Sequence, residues 1–299
     1  MFRIAHLSDP HLPPDGAHIG LRDLASKRSL SRIAWRRKRR EHDPGVLAAL
    51  TADVAAQGPD HLVITGDLTN FSTPEEFAAA RAWLAGLGAP ADVTVSPGNH
   101  DALVARGGAE RFATLAPWFG DAGDARFPQV RRRGPVALVN LSSAVATGPF
   151  VATGRLGEDQ LVRLDAVLAE LAGGGLCRIV MLHHPPADGV VSRRKSLLDA
   201  AALRGLLARH GAELVLHGHG HEAAFNAVPG PQGPIPTLGC PSASATPGGR
   251  HPAARWHMLE IDPAQPRGGL RVIARGLGAE GGFVELGRYA LSAATDIAA

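Results

Sequence analysis

Five short polar motifs in this sequence carry side chains that commonly bind first-row metal ions. They supply carboxylate, imidazole and amide groups, and none of them contains a cysteine. This mixture of donors suits Mn, Fe, Zn or Co better than a structural zinc site, which favours thiolates. The motifs are Asp9-Pro10-His11, Gly66-Asp67, Gly98-Asn99-His100-Asp101, His183-His184-Pro185 and Gly218-His219-Gly220-His221.

Two metal ions held close together need a shared ligand, and a single carboxylate such as Asp67 can bridge them. Metal ions about 3.5–4 Å apart can hold both the attacking and the leaving oxygen of an in-line phosphoryl displacement. Histidine side chains in general titrate near neutral pH and can protonate a poor leaving oxygen. The motifs together therefore predict a dinuclear metal centre that cleaves a phosphorus–oxygen bond.

No single motif is sufficient for this prediction. Asp-x-His and Gly-Asp are ordinary turn sequences, and prolines after His183-His184 are also typical of a loop. Gly-His-Gly-His is less common, since two imidazoles on so flexible a loop have little structural use. A non-catalytic, metal-stabilised scaffold is an alternative, but His100 would then have no role. The conjunction of all five motifs favours catalysis.

Apolar segments precede the motifs and predict the elements that position them. Ligand sites in open α/β sheets gather outside the carboxyl ends of the strands, so these five strand ends can converge on one place. Helices are predicted over 44–57, 74–87, 158–171 and 199–210, and further strands over 136–141, 255–261, 270–274 and 283–291. The strands that precede the motifs are Phe2–Ser8, His61–Thr65, Val93–Val95, Arg178–Leu182 and Leu214–Leu216.

In this order and spacing, the motifs from residue 9 to residue 221 resemble those of the calcineurin-like metallophosphoesterase superfamily. Within it, the chain most resembles bacterial class III cyclic-nucleotide and glycerophosphodiester phosphodiesterases. The resemblance implies an α/β fold, a four-layer αββα sandwich of two mixed β-sheets flanked by helices. It also implies attack on phosphorus by a hydroxide that bridges the two metal ions.

The resemblance further implies a role for each motif residue. His100 would lie beside the scissile phosphate, with Asp101 as its orienting partner, and Asn99 and His100 would contact the substrate. His183 is chosen over His184 because the family pattern is His-x-Pro. The implied metal ligands are Asp9, His11 and His221 for the first ion, Asn99, His183 and His219 for the second, and Asp67 for both.

A basic segment interrupts the pattern between the first two motifs. The window 27–40 holds eight of the 31 basic residues and no acid, so the remainder of the chain has five more acidic than basic residues. We expect an inserted arm over about 17–43, helical in part. It could be a solvated helix face, a positively charged entrance that attracts phosphate, or a surface that docks on an anionic membrane. His42 lies on this arm and is within reach of a substrate.

The bulk composition agrees with one globular enzyme domain over 1–299, with C-terminal strands from about 255. Two distant cysteines, Cys177 and Cys240, indicate a reducing compartment. The N-terminus lacks a signal-peptide pattern and no long apolar run is present, so a cytoplasmic location is expected, with the inner membrane face as an option for the arm. No aromatic-interleaved basic groove indicates nucleic acid, and a homo-oligomer remains open.

These features predict hydrolysis of a small phosphodiester, such as a cyclic nucleotide or a glycerophosphodiester. An alternative keeps the chemistry and places it at a membrane surface, where the substrate would be a lipid-linked pyrophosphate of the UDP-diacylglucosamine type. The metal ions are divalent or trivalent Mn, Fe, Zn or Co, because these ligands accept several first-row ions.

Overall fold

A computed structural model describes residues 1–20, 23, 26–38 and 41–291 of the chain. The helices are α1 (Lys27–Lys38), α2 (Pro44–Gln57), α3 (Pro74–Leu87), α4 (Gly108–Ala113), α5 (Glu158–Ala172) and α6 (Ala200–His210). The strands are β1 (Phe2–Leu7), β2 (His61–Ile64), β3 (Val93–Val95), β4 (Gln129–Arg133), β5 (Val136–Asn140), β6 (Cys177–Met181), β7 (Leu214–His217), β8 (Phe225–Val228), β9 (Ile235–Gly239), β10 (Arg255–Ile261), β11 (Leu270–Leu277) and β12 (Phe283–Leu291).

Within these residues the strands form two mixed sheets. The first sheet has the order β12-β11-β10-β1-β2-β3, and the second has the order β4-β5-β6-β7-β9-β8. Strands β1, β2 and β3 are parallel, as are β5, β6, β7 and β9. The C-terminal strands join the first sheet, because β10 pairs antiparallel with β1.

The two sheets pack face to face, and helices cover their outer faces. A buried cluster between the sheets contains Ile4 and Val63 from the first and Leu138, Ile179 and Leu216 from the second. Helices α2 and α3 pack on the first sheet, while α5 and α6 pack on the second. This arrangement confirms the expected four-layer αββα sandwich. Among the described helices, none combines the length and apolarity needed to cross a membrane.

Local signals explain why the helices begin where the sequence predicts. The side chain of Asp43 accepts hydrogen bonds from the amides of Gly45 and Val46 at the start of α2. At the start of α3, Thr73 and Glu76 form a capping box, with Pro74 in the first turn. Side chains of this kind satisfy amides that have no partner within the helix.

Three strands were not predicted: β4, β8 and β9. Strand β4 contains three consecutive arginines, yet Arg131 is buried and donates to the carbonyls of Pro90 and Pro117. Strand β9 contains Pro236, a residue unfavourable in central strands. The basic arm is helical over α1, as expected in part, whereas Arg39 and Arg40 lie outside the described residues.

Candidate metal centre

Seven polar side chains from five strand ends meet in one place between the carboxyl ends of the two sheets. Each motif follows a parallel strand directly, so the loops leave the two sheets on the same side. All seven side chains are buried except that of His221, which is partly exposed. They are Asp9 and His11 after β1, Asp67 after β2, Asn99 after β3, His183 after β6, and His219 and His221 after β7.

Asp9, His11 and His221 form one half of this cluster. Nε2 of His221 lies 3.2 Å from Oδ1 of Asp9 and 3.3 Å from Nε2 of His11. Nε2 of His11 is 3.9 Å from Oδ2 of Asp67. The three side chains that the sequence assigns to the first metal ion are therefore adjacent, and they face the Asp67 carboxylate.

Asn99, His183 and His219 form the other half. Nε2 of His183 lies 3.1 Å from Oδ1 of Asn99 and 3.2 Å from Nδ1 of His219. The same nitrogen lies 3.3 Å from Oδ2 of Asp67. The Asp67 carboxylate thus stands between the two halves, which is the position expected of a bridging ligand.

The ring of His184 packs against that of His219, with centroids 4.3 Å apart, but its nitrogens are directed elsewhere. Its Nδ1 lies 2.7 Å from the Ser143 hydroxyl and its Nε2 lies 3.2 Å from the Ala152 carbonyl oxygen. Both ring nitrogens therefore have partners elsewhere. The choice of His183 over His184, made from the His-x-Pro pattern, agrees with this geometry.

The donor atoms suit first-row metal ions. Bonds of about 2.0–2.2 Å to nitrogen and oxygen place neighbouring ligand atoms about 3.0–3.5 Å apart around the ion. The spacings in both halves fall within or close to this range, including two contacts between imidazole nitrogens. Oδ1 of Asp9 is buried and accepts no hydrogen bond from the described residues. The residues therefore fit two metal ions that share Asp67.

The backbone of the ligand loops adopts an uncommon conformation. Residues other than glycine are destabilised by about 1–2 kcal/mol when their backbone is in the left-handed helical region. Asn, Asp and His adopt this conformation more often than most residues do. Such strain concentrates at functional sites, where the surrounding structure holds it. Five of the candidate ligands have positive φ: Asp9 (51°), His11 (43°), Asp67 (55°), His219 (66°) and His221 (56°).

Hydrogen bonds between loops hold this conformation. The amide of Asp9 donates to the carbonyl of Gly66, and the amide of His11 donates to that of Asp67. The amide of Gly218 donates to the carbonyl of His183 across the second sheet. The loops after β1 and β2 are therefore fixed to each other, as are the loops after β6 and β7.

The charges of the two halves are strongly coupled through Asp67. Burial alone would raise the pKa of Asp67, but nearby His183, His100 and His11 outweigh it and hold that pKa well below its usual value. Burial alone would lower the pKa of His183, yet the Asp67 carboxylate raises it to about 9. The protein without metal therefore keeps a carboxylate–imidazolium pair at its centre.

Two further imidazoles of the cluster, those of His11 and His219, are kept neutral. Burial, together with the charge of His42, holds the pKa of His11 well below its usual value. Burial and the neighbouring His184 do the same for the pKa of His219. Neutral imidazoles are the form that binds metal ions, so these two side chains are ready to act as ligands.

His100 lies beside the cluster, but its partner is not the one expected. Its Nδ1 lies 2.9 Å from the carbonyl oxygen of Asn70, and its amide donates to Oδ1 of Asp67 at 2.7 Å. The Asp101 carboxylate instead accepts from the amides of Gly98 and Thr69 at 2.8 and 2.9 Å. The prediction that Asp101 orients the His100 ring is therefore corrected.

Asp101 positions the loop and not the ring. It ties the turn after β3 to the turn after β2, and so fixes the distance between Asn99 and Asp67. Burial, followed by the nearby Asp67, raises the pKa of Asp101 to about 6. The sequence does not reveal this function, because an Asp directly after Gly-Asn-His is also consistent with a hydrogen-bonding partner for the histidine ring.

The cluster opens into a cleft of about 260 Å³ that α1 helps to enclose. Trp35 of α1 and Phe71 contact each other edge to face, with ring centroids 6.1 Å apart, and both line the cleft. The ring of His42 lies 4.5 Å from that of His11, and both side chains line the cleft. Lys195 also lines the cleft, and the sequence carries no signal for it.

Comparison with known proteins agrees with the site. Residues 2–223 match the family model of calcineurin-like phosphoesterases. The chain is 29% identical over 225 residues to a probable cyclic nucleotide phosphodiesterase of Synechococcus sp., covering 72% of this chain and 77% of that protein. It is also 29% identical over 236 residues to a probable cyclic nucleotide phosphodiesterase of Rhodococcus erythropolis, covering 76% and 68% respectively.

Solved structures share the fold. A dimetal phosphatase from Danio rerio superposes with a TM-score of 0.55 at 15% identity, covering 98% of this chain and 99% of that one. A purple acid phosphatase from yellow lupin seeds superposes with a TM-score of 0.60 at 11% identity, covering 97% and 53%. With the motifs, the two-sheet fold and the family model in agreement, the chain belongs to the calcineurin-like phosphoesterase family and is a metal-dependent hydrolase of phosphoric esters.

Proposed function

We propose that this enzyme is a phosphodiesterase whose substrate is a small phosphodiester, with cyclic nucleotides as the first class to test. One observation carries the proposal: His100 and five of the seven candidate metal ligands line the same cleft as the aromatic pair Trp35 and Phe71. The names of the Synechococcus and Rhodococcus relatives, both probable cyclic nucleotide phosphodiesterases, support the substrate class.

The proposed ligand sets follow the two halves of the cluster, and each half would hold one ion. The sets are Asp9, His11 and His221 for the first ion, Asn99, His183 and His219 for the second, and Asp67 as the bridge. When bound, the two ions lower the pKa of a water molecule so that it can attack phosphorus near neutral pH, and they neutralise charge on the phosphate.

His100 would transfer a proton to the leaving oxygen. Its Nδ1–H is directed to the Asn70 carbonyl, which leaves Nε2 as the atom that faces the substrate. The amide bond from His100 to Asp67 fixes this ring relative to the bridging carboxylate. A sugar or glycerol alkoxide is a poor leaving group, so a proton placed at Nε2 is most useful for such substrates.

The cleft walls suit a nucleotide. Aromatic side chains bind nucleobases by stacking, worth about 1–3 kcal/mol per base. Trp35 and Phe71 provide such a wall beside the metal centre. Lys195 adds a cation near the position of the single negative charge of a diester. A glycerophosphodiester would use the same centre without contacting the aromatic wall.

The test is a substrate panel on protein reconstituted with Mn, Fe, Zn or Co. We expect turnover of cyclic nucleotides and of bis-p-nitrophenyl phosphate, with slower hydrolysis of monoesters. Trp35→Ala should raise KM for a cyclic nucleotide and leave KM for a glycerophosphodiester unchanged. Phe225→Ala, an exposed aromatic on β8 outside the cleft, is the matched control. Hydrolysis of monoesters alone would refute the proposal.

A second candidate is the membrane-surface hydrolase of a lipid-linked pyrophosphate. Three apolar side chains that lie within two residues of the cleft-lining Ser31, Ala34 and Ala152 are exposed: Leu30 (40%), Ile33 (53%) and Phe150 (80%). Lys27 joins the two segments by donating to the Thr147 hydroxyl and the Val151 carbonyl. Together with the basic residues of the arm, these three apolar side chains would form a surface suited to anionic lipid.

Vesicle sedimentation distinguishes the two candidates. The membrane hypothesis expects binding to vesicles rich in phosphatidylglycerol, weaker binding after Ile33→Ser with Phe150→Ser, and little binding to phosphatidylcholine. Val162→Ser, an exposed apolar residue on α5, serves as the control. Absence of binding to anionic vesicles, both with the arm and after deletion of residues 21–40, would exclude this candidate.

A further inference from the structure

A second cluster of metal-binding side chains lies inside the protein, behind the dinuclear centre. His6 on β1 and His257 on β10 are directly opposite each other in the first sheet, and their rings stack with centroids 5.8 Å apart. Cys240 follows β9 of the second sheet, and its sulfur lies 3.9 Å from the His6 carbonyl oxygen. All three side chains are buried.

The donor atoms of these three residues converge. One ring nitrogen of His6, one of His257 and the sulfur of Cys240 all lie within 4.8 Å of one another. Nδ1 of His6 and Nδ1 of His257 are both buried, and neither has a hydrogen-bond partner among the described residues. Buried polar atoms almost always have a partner, and an orphan in this position points to a bound group.

One ring nitrogen of His6 makes the kind of hydrogen bond that metal-binding imidazoles make. Its Nε2 lies 2.9 Å from the hydroxyl of Thr65, which leaves Nδ1 as the free nitrogen. Histidines that bind metals commonly direct their other ring nitrogen to a fixed oxygen partner, which sets the tautomer. The carbonyl of Thr65 also accepts from Nδ1 of His183 at 2.7 Å, so this residue joins the two clusters.

We propose that His6, Cys240 and His257 form a mononuclear metal site, separate from the dinuclear centre, for Zn²⁺ or an ion of similar softness. Two imidazoles and one thiolate are typical donors for such ions, at bond lengths of about 2.0–2.3 Å. On binding, the ion replaces the proton of the Cys240 thiol, so one metal–sulfur bond forms and one proton leaves. The proposal does not depend on the substrate of the dinuclear centre.

The three donors leave a tetrahedral ion one ligand short. The backbone of His217 lies close by, because the amide of Cys240 donates to its carbonyl at 3.2 Å. Its ring nitrogens are not among the described donor atoms that converge with those of His6, Cys240 and His257. A water molecule can complete a tetrahedral site.

The site would join the two sheets beneath the catalytic loops. His6 lies three residues before Asp9, and Cys240 directly follows β9, which pairs with β7, the strand that precedes His219. An ion bound to residues of both sheets would therefore fix the separation of the strands that carry ligands for both catalytic ions. We expect it to raise the resistance of the protein to unfolding.

Cobalt spectroscopy tests the proposal without any activity measurement. The seven candidate ligands of the dinuclear centre include no thiol, so a thiolate-to-Co²⁺ charge-transfer band in the near ultraviolet requires a cysteine ligand. We expect this band in protein expressed with Co²⁺, its loss in Cys240→Ala and its persistence in Cys177→Ala. Cys177 is buried in the apolar layer between the sheets and is the matched control.

Metal content provides an independent measurement. Zinc-loaded protein should contain about three ions per chain, falling to about two in Cys240→Ala or His257→Gln and staying at about three in Cys177→Ala. Absence of the charge-transfer band in the unaltered protein would overturn the proposal even if a variant failed to fold. A band that survives Cys240→Ala, or a content of about two ions in the unaltered protein, would also overturn it.

Discussion

Replacing Gly218 by alanine should dismantle the half of the metal centre that contains Asp9. A Cβ atom on Gly218 would lie 1.8 Å from Oγ of Ser8 and 2.4 Å from Oδ2 of Asp9. Neither atom can turn away freely, because the Ser8 hydroxyl donates to Oδ2 of Asp9 at 2.6 Å. The same carboxylate oxygen accepts from the amide of His219 at 3.0 Å. The added methyl group therefore displaces a metal ligand.

The size of the effect follows from the distances. An ordinary contact of about 3.5 Å requires Ser8 or the turn at Gly218 to move by about 1.7 Å in a tightly packed region. Overpacking of this kind costs about 1–3 kcal/mol, and we expect a loss near the upper end, about 3 kcal/mol in the free energy of unfolding. Removing a hydrogen bond that supports a metal ligand lowers metal affinity about 10–100-fold. Direct displacement of Asp9 should lower metal affinity by more than this.

Gly220→Ala is the matched control in the same motif. A Cβ atom there would meet its nearest neighbour, Cγ1 of Val191, at 3.6 Å, which is an ordinary contact. Metal content by mass spectrometry and urea unfolding in EDTA should separate the two variants. We expect Gly218→Ala to lose one ion and stability, and Gly220→Ala to keep both. If Gly218→Ala retains full metal content and an unchanged urea midpoint, the rigid placement of Asp9 by Ser8 is refuted.

Three further predictions concern single residues of the site. Asn99→Ala should lower the occupancy of one metal ion and nearly abolish turnover; full activity with one ion missing, shown by metal analysis, would contradict the two-metal mechanism. His100→Ala should keep both ions but slow alkyl diesters more than nitrophenyl diesters, and equal losses would argue against its acid role. Burial lowers the pKa of His183 but Asp67 raises it to about 9, so near neutral pH this ligand is protonated before metal binds. Metal binding should therefore release this proton, and metal affinity should fall as the pH falls. The heat of metal binding measured by calorimetry should then depend on the ionisation enthalpy of the buffer, and a heat that does not depend on it would contradict this prediction.

The sequence indicated that the five motifs would meet at one place, because parallel strands bring their carboxyl ends together. Strands β1, β2, β3, β6 and β7 are short apolar segments, and each carries its motif at the carboxyl end. Once these strands lie parallel in two packed sheets, the motifs share one edge. The family model, the relatives and the fold confirm the metallophosphoesterase prediction. The individual ligand assignments remain predictions.

Other features depend on contacts that no local pattern encodes. The buried position of Arg131 in β4 depends on carbonyls of Pro90 and Pro117, which are distant in the chain. The true contacts of Asp101 depend on where the turn after β2 comes to lie. The aromatic wall of the cleft likewise depends on the path of α1 over Phe71. Such long-range contacts exist only after the sheets have formed.

The left-handed backbone at the ligand positions affects how this site should be mutated. Substitution of Asp9 or His219 by alanine removes a metal ligand. It also destabilises the left-handed backbone at that position, because alanine adopts this conformation less readily than Asp or His. Loss of activity in such a variant would combine lost chemistry with a displaced loop. Asparagine keeps access to the left-handed region, so His219→Asn is the cleaner probe of coordination. At Asn99, where φ is not positive, alanine carries no such ambiguity.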